Sequence, residues 1–174
     1  MKKILTSIAC AVCLFSEIHA QNYTGVTSLE TQTLQDASFV GPTQLKEIKA
    51  KAISVIGPLS GNDVICTKLN VTGPADMTGL QVIGDSVIIG PLKANQSKFE
   101  DLMITADEII LEDTKSEDIL IKKNKDQTKE QVLHLKGKTQ VIGDIIFESG
   151  KGIIKQDAGV KIQGKVKGAK IDTK

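Results

Sequence analysis

Apolar residues in this chain recur as pairs separated by one residue, and successive pairs lie about five residues apart. Clear examples are Leu102/Ile104, Ile109/Leu111, Ile119/Ile121 and Leu133/Leu135. Alternation within a pair is the period of a β-strand, and no 3.6-residue rhythm accompanies it. The pattern predicts an all-β chain of short strands that are separated by frequent bends.

A Gly-Pro step marks an internal repeat. All four prolines follow a glycine, at Gly41-Pro42, Gly57-Pro58, Gly73-Pro74 and Gly90-Pro91, with spacings of 16, 16 and 17 residues. Gly25 lies another 16 residues upstream. Glycine can adopt the backbone angles of a sharp bend, and proline fixes φ where no backbone donor is needed. We therefore predict that these eight residues form stacked structural corners.

Two similar stretches, SVIGPL at residues 54–59 and SVIIGPL at residues 86–92, occupy the same position in the repeat. They are predicted to be the same strand end and the same corner, two repeats apart. The additional Ile of the second copy predicts a one-residue bulge or a lengthened side at that strand.

Alignment of the repeats from each glycine places apolar residues in columns. The column at the tenth position contains Leu34, Ala50, Cys66, Val82 and Phe99, which we predict to be a core column. Another contains Phe39, Val55 and Val71, followed by Val87 or Ile88. Short strands, bends and a 16-residue unit predict a parallel β-helix, or β-solenoid, with coils of about 16–17 residues stacked about 4.8 Å apart.

The repeat predicts one solenoid domain over residues 21–174, with about nine coils and a length of roughly 40 Å. Residues 122–131, KKNKDQTKEQ, contain no apolar side chain and are predicted to be a polar loop that leaves the stack. From Val141 onward the chain returns to alternating Val and Ile with frequent Gly.

The first twenty residues are typical of a secretory signal peptide. Lys2 and Lys3 precede an apolar run over residues 4–15, and Ala20 offers a small residue at the cleavage point. The sequence thus predicts export from a bacterium, to the periplasm or outside the cell. No later stretch is apolar enough to span a bilayer, so the mature chain is predicted to have no integral membrane segment.

Charge argues against nucleic acid as a partner. Loss of Lys2, Lys3 and Glu17 with the leader leaves 20 Lys and 20 acidic residues, so the mature chain has no net field. The sequence contains no Arg, the residue whose planar fork binds phosphates and guanine in a bidentate manner.

Candidate chemical groups are few. Without the leader, Cys66 and His134 are the only Cys and His, and strand alternation points Cys66 inward and His134 outward. They cannot form a Cys-His dyad or a metal site, so no catalytic, metal-binding or cofactor-binding residue is predicted. Adjacent carboxylates at successive bends indicate solvated corners, with a calcium site as the alternative. These are Glu100, Asp101, Asp107, Glu108, Glu112, Asp113, Glu117 and Asp118.

From about Gly41 to Ala169 the chain resembles the bactofilins, the polymer-forming β-solenoids, in its short Val/Ile coils with Gly at bends. The resemblance implies a right-handed β-helix without a cofactor that joins end to end into filaments. Bactofilins are typically cytoplasmic, and the export signal departs from that pattern.

Two functions follow as hypotheses. The first is a non-enzymatic secreted structural or interaction protein, a rod that self-associates head to head through its neutral N-terminal coil. Its C-terminal coil is predicted to resist such pairing because it is rich in lysine: Lys161, Lys165, Lys167, Lys170 and Lys174. The alternative is a binding module that holds an envelope or host protein through a sheet face or the loop at residues 122–131.

Overall fold

The computed structural model describes residues 20–124 and 130–173. Most of the predicted signal peptide, five residues of the predicted polar loop, and Lys174 lie outside the described residues. The described chain contains no helix, and therefore none that is long and apolar enough to cross a membrane.

Nineteen strands pair in parallel over the described residues and form one continuous sheet that is wound into a β-solenoid of about nine turns. The predicted fold is confirmed. The strands are β1 Gln21–Thr24, β2 Thr27–Val40, β3 Thr43–Ile56, β4 Leu59–Asn62, β5 Ile65–Thr72, β6 Ala75–Thr78, β7 Gln81–Val82, β8 Asp85–Ile89, β9 Leu92–Asn95, β10 Lys98–Thr105, β11 Glu108–Glu112, β12 Lys115–Ile121, β13 Gln131–Lys136, β14 Gln140–Val141, β15 Ile145–Phe147, β16 Gly152–Gln156, β17 Lys161–Ile162, β18 Val166–Lys167 and β19 Ala169–Thr173.

Each coil has three faces. The first face follows the Gly-Pro corner and contains the starts of β2 and β3, then β4, β6, β9, β11, β13, β16 and β19. The second face contains the middle of β2 and β3, the starts of β5, β10 and β12, and β7, β14 and β17. The third face contains β1, the ends of β2, β3, β5, β10 and β12, and β8, β15 and β18.

The core is a narrow column inside these three faces. The predicted apolar pairs point into it: Leu102, Ile104, Ile109, Leu111, Ile119, Ile121, Leu133 and Leu135 are each at most 1% exposed. Val71 stacks between Val55 and Ile88, and all three are buried. The alternation of apolar and polar residues in the sequence therefore indicates which side chains face inward.

The Gly-Pro corners lie directly on top of one another. Gly41, Gly57, Gly73 and Gly90 have φ between 122° and 142°. The amide of each donates to a carbonyl one coil further on, as from Gly41 N to Ile56 O at 2.8 Å. A Cβ on Gly57 would lie 2.6 Å from the backbone oxygen of Gly41, so this stack leaves no room for a side chain.

The additional residue of the SVIIGPL stretch lies elsewhere than predicted. Val71 pairs with Ile88 and Thr72 with Ile89, so that strand is in unbroken register. The register changes between Cys66↔Val82 and Leu69↔Ser86, which places the inserted residue at the preceding bend near Gly84. A bend accepts an extra residue without breaking ladder hydrogen bonds, whereas a strand interior does not.

A second corner, between the first and second faces, is built from left-handed residues. Thr31, Glu47, Asp63, Gly79, Gln96, Asp113 and Gly137 all have φ between 48° and 67°. Five of the seven are not glycine, although this conformation costs a residue with a Cβ roughly 1–2 kcal/mol. The stacked hydrogen bonds of the coil hold them there, as from Asp63 N to Thr78 O at 3.0 Å.

Just after this corner, one core column changes from aliphatic to hydroxyl side chains. Ile48, Val64 and Leu80 are followed by Ser97, Thr114 and Thr139, all buried. Each hydroxyl accepts from the backbone N–H one coil earlier: Leu80 N to Ser97 Oγ, Ser97 N to Thr114 Oγ1 and Thr114 N to Thr139 Oγ1, at 3.2–3.4 Å. The buried hydroxyls also donate, as from Thr114 Oγ1 to Glu112 O at 2.8 Å, so the polar column is satisfied.

The described residues of the predicted polar loop flank the position of the Gly-Pro corner, between the end of β12 and the start of β13. Gln131, assigned to the loop from the sequence, is instead a buried residue of β13. Its side-chain amide donates to Ala106 O at 3.0 Å and to Lys122 O at 2.8 Å. These two bonds satisfy the buried NH2 group of Gln131 and connect the start of β13 to both Lys122 and Ala106.

Substitution of Val71 by Asp should lower the free energy of unfolding by ~3–5 kcal/mol, because it puts an unpaired carboxylate into the core. Thr72→Asp is the matched control, since Thr72 is exposed on the same strand, and its effect should stay within about 1 kcal/mol. Urea unfolding followed by circular dichroism measures both. Equal losses would mean that the inward and outward positions are misassigned.

Gly57→Ala should destabilise by ~3 kcal/mol or more, because the new methyl group overlaps the Gly41 carbonyl. Gly25→Ala occupies the same corner with φ +98, but its Cβ would have nothing within 4 Å, so only the backbone strain of about 1–2 kcal/mol remains. Thermal unfolding of the two variants separates the clash from the strain. If Gly25→Ala is as damaging as Gly57→Ala, the close stacking of the corners is not the reason that glycine is required at position 57.

Candidate interaction surfaces

The core column predicted at the tenth position lies on the second face. Leu34, Cys66, Val82 and Phe99 are buried there, whereas Ala50 is half-buried. Cys66 is 1% exposed, and burial raises the pKa of its thiol to about 12. Since the thiolate is the reactive form, Cys66 is an inert core residue in the folded chain.

His134 lies on the first face in β13, several coils away from Cys66. Its Nε2 is 3.5 Å from Glu108 Oε1, and its side chain is partly exposed. The two candidate groups therefore point to opposite sides of the coil wall and are not brought together. The geometry offers this Cys and His no shared site.

Several of the bend carboxylates accept backbone hydrogen bonds from the next coil. Asp113 Oδ1 accepts from Lys138 N at 2.9 Å, and Asp118 Oδ1 accepts from Asp144 N at 2.6 Å. Asp144 Oδ1 in turn accepts from Lys165 N at 2.8 Å, and this bond, with Lys167 nearby, lowers the pKa of the Asp144 carboxyl. In the described ranges no three His, Cys, Asp or Glu side chains are arranged to hold a metal ion.

The Gly-Pro corner borders an open groove of about 590 Å³ on the first face. Its rim is a proline column, made of Val26, Pro42, Pro58, Pro74 and Pro91 on successive coils, and all five are exposed. Val26 is 86% exposed. The groove crosses the strands and runs along the rod.

The third face has an outward row of apolar side chains. Val87, Met103, Leu120 and Ile146 pair in register on four consecutive coils and are only half-buried. A column of carboxylates, Asp85, Asp101 and Asp118, stacks beside the row. Outward positions of a solenoid need no apolar residue for folding, so this row is available for contact with another molecule.

The ends of the rod are the third candidate surface. Residues 27–34 pair with β3 on one side, and no described residue pairs with them on the other. At the opposite end β17, β18 and β19 also have a neighbour on one side only within the described chain. Among the described residues, both ends thus present backbone donors and acceptors without a strand partner.

Comparisons with protein-family models, with curated proteins and with solved structures give no match to this chain. The surfaces above are therefore assigned from their own geometry alone.

Sequence reasoning missed the apolar row and the left-handed corner, although both are readable once the register is known. The row is hidden because Val87, Met103, Leu120 and Ile146 are separated by 16, 17 and 26 residues. The corner is hidden because Thr, Glu and Gln are not typical turn residues. A column alignment that followed the insertions would have revealed both.

Cys66 should react with a thiol reagent at least about a hundredfold more slowly in the native protein than in denaturant, because it is buried and its thiolate is scarce below pH 12. Absorbance of the released chromophore measures the rate. A Thr72→Cys variant, exposed on the same strand, supplies the fast native control. Rapid labelling of Cys66 in the native protein would contradict its assignment to an inward position of the coil.

Proposed function

We propose that the mature chain is a non-enzymatic, exported bacterial structural rod that associates with itself through its N-terminal coil. The observation that carries the proposal is the open ladder at that end, where residues 27–34 have a strand neighbour on one side only within the described chain. An open parallel edge is a template for another strand unless charge, proline or a covering segment blocks it.

The two ends differ in charge. Over residues 20–45 the chain has two acidic side chains, Glu30 and Asp36, and no Lys. The last coil has Lys161, Lys165, Lys167 and Lys170 against Asp157 and Asp172. Lysine on an edge discourages pairing, so the less charged N-terminal edge is the better contact. This difference supports head-to-head association.

A long parallel ladder also suits a mechanical role. Each described coil is tied to its neighbours by backbone bonds along three faces, and every bond runs along the rod. A second rod that joins head to head pairs its N-terminal coil antiparallel to this one, and the backbone bonds across the junction still run along the rod. No cofactor is required for either step.

The alternative function is a binding module for an envelope or host protein. The outward apolar row on the third face, from Val87 to Ile146, specifically favours it. A partner with apolar side chains beside basic ones would complement the row and its neighbouring Asp85, Asp101 and Asp118. Such a module would remain monomeric while it binds.

Ser28→Pro should lower the largest mass that the mature chain reaches with rising concentration, because it removes end-to-end growth. Alternation of the ladder points the Ser28 N–H to the open side, since Thr27 N donates to Pro42 O of the next coil. Proline removes this donor without breaking an existing bond. Sizing chromatography with light scattering across a concentration series measures the effect.

Ile171→Pro is the matched control at the opposite end, in the exposed edge strand β19. It should leave association unchanged. Loss of association in both variants would indicate head-to-tail stacking instead. A mature chain that stays monomeric at every concentration would refute self-association and favour the binding module.

A further inference from the structure

The groove on the first face contains two columns that run along the rod. One is the proline column, and the register continues it through Glu108, Val132 and Ile153. The other, which we name the outer column, lies two residues further along each strand. Its central members are Gln44, Ser60, Asp76, Lys93, Ile110 and His134.

The central pairs of both columns complement each other when the rod is inverted about the midpoint between Asp76 and Lys93. In the outer column, Asp76 then lies opposite Lys93 of a second copy, and Lys93 opposite Asp76. In the proline column, Pro74 meets Pro91, Pro42 meets Val132, and Val26 meets Ile153. An isologous contact of this kind needs one surface that complements itself under a two-fold axis.

From this arrangement we infer that the first face binds the first face of a second copy of this chain, antiparallel, with the two-fold axis between Asp76 and Lys93. The two reciprocal ion pairs set the register along the rod. The facing proline columns exclude water between the rods. This contact lies on the side of the rod and is independent of the end contact proposed above.

The central charges are placed to serve this contact. Asp76 and Lys93 are both exposed, and neither has an ion-pair partner in the part of the chain that the structure describes. Their strands are adjacent, since Asp76 pairs in register with Lys93. The reversed order of the charges on the second copy therefore gives attraction at two positions, whereas a parallel pair of rods would place Asp76 against Asp76.

The area is sufficient for a stable pair. Eight coils at about 4.8 Å and a strand width of about 15 Å give roughly 600 Å² per copy, or roughly 1,200 Å² in all. That is the lower range of specific interfaces. Three positions fit less well. Ile110 lies opposite Ser60, and in the next outward column Lys46 lies opposite Lys136, although Lys46 is paired with Glu30 of its own chain. Glu108 lies opposite Pro58, and its carboxylate is directed instead toward His134 of its own chain at 3.5 Å.

Site-specific crosslinking tests this geometry. In the antiparallel pair, Gln44 of one copy faces His134 of the other, whereas the two Gln44 residues lie about five coils apart, or roughly 24 Å. Purified mature Gln44→Cys and His134→Cys proteins, mixed and treated with a thiol crosslinker matched to the ~10 Å spacing of packed sheets, should give a mixed dimer. Neither protein alone should give a dimer, and the buried Cys66 of the unmodified chain should not react.

Charge reversal tests the register in the same assay. Asp76→Lys or Lys93→Asp in both proteins should lower the mixed-dimer yield about tenfold, because two attractions become two repulsions. The double variant Asp76→Lys/Lys93→Asp restores both attractions and should restore the yield. Lys49→Asp, on the second face, is the control and should leave it unchanged.

The inference is overturned if no mixed dimer forms at high concentration, or if Gln44→Cys crosslinks to itself. It is also overturned if the double variant is no better than either single variant. Circular dichroism of each variant verifies that the protein is folded, so that a lost crosslink cannot be due to unfolding. End-to-end association does not bring residues 44 and 134 together, but head-to-head contact would leave two Gln44 residues only about three coils, or roughly 14 Å, apart. Both cysteine proteins therefore also carry Ser28→Pro, which removes the end contact, so that self-crosslinking of Gln44→Cys can come only from the side contact.

Discussion

The parallel hydrogen-bond ladder between successive coils is the interaction on which every other feature of this protein depends. Because each coil lies directly on the previous one, a residue at any position must fit on its counterpart about one repeat earlier. Gly57 must be glycine because Gly41 is beneath it, with a carbonyl 2.6 Å from the place where a Cβ would lie. The same dependence stabilises residues such as Thr31 and Gln96 in a left-handed conformation that isolated residues avoid.

The ladder also explains how a polar column can exist in the core. Ser97, Thr114 and Thr139 each accept from the coil below, so the hydroxyls continue the backbone pattern instead of interrupting it. Aliphatic columns fill space but tolerate small axial shifts, whereas these directional bonds do not. The middle coils therefore combine apolar burial with a fixed register, and a satisfied buried network of this kind favours a single arrangement.

Much of the fold was predictable from the sequence because every coil of a solenoid has the same requirements at its corners and at its inward positions. The Gly-Pro spacing and the alternating apolar pairs predicted the coil length, the corners and the inward side chains. The inserted residue near Gly84 and the burial of Gln131 were not predictable, because both depend on pairings that skip variable numbers of residues. Candidate surfaces were harder still. Outward positions have no packing requirement, so Asp76, Lys93 and Met103 become meaningful only when the register shows which residues are neighbours.

The corner between β12 and β13 is closed although nine residues separate these two strands. The Gln131 amide donates to Lys122 O and Ala106 O and so connects the two sides of this corner. Closure entropy rises slowly with loop length, by about 0.6 kcal/mol for each doubling. Insertions of different length can therefore be accommodated at this corner without a change in the spacing of successive coils. A lineage could diversify what the rod displays there while the stack itself stays constant, and a designer could graft a foreign epitope at the same point.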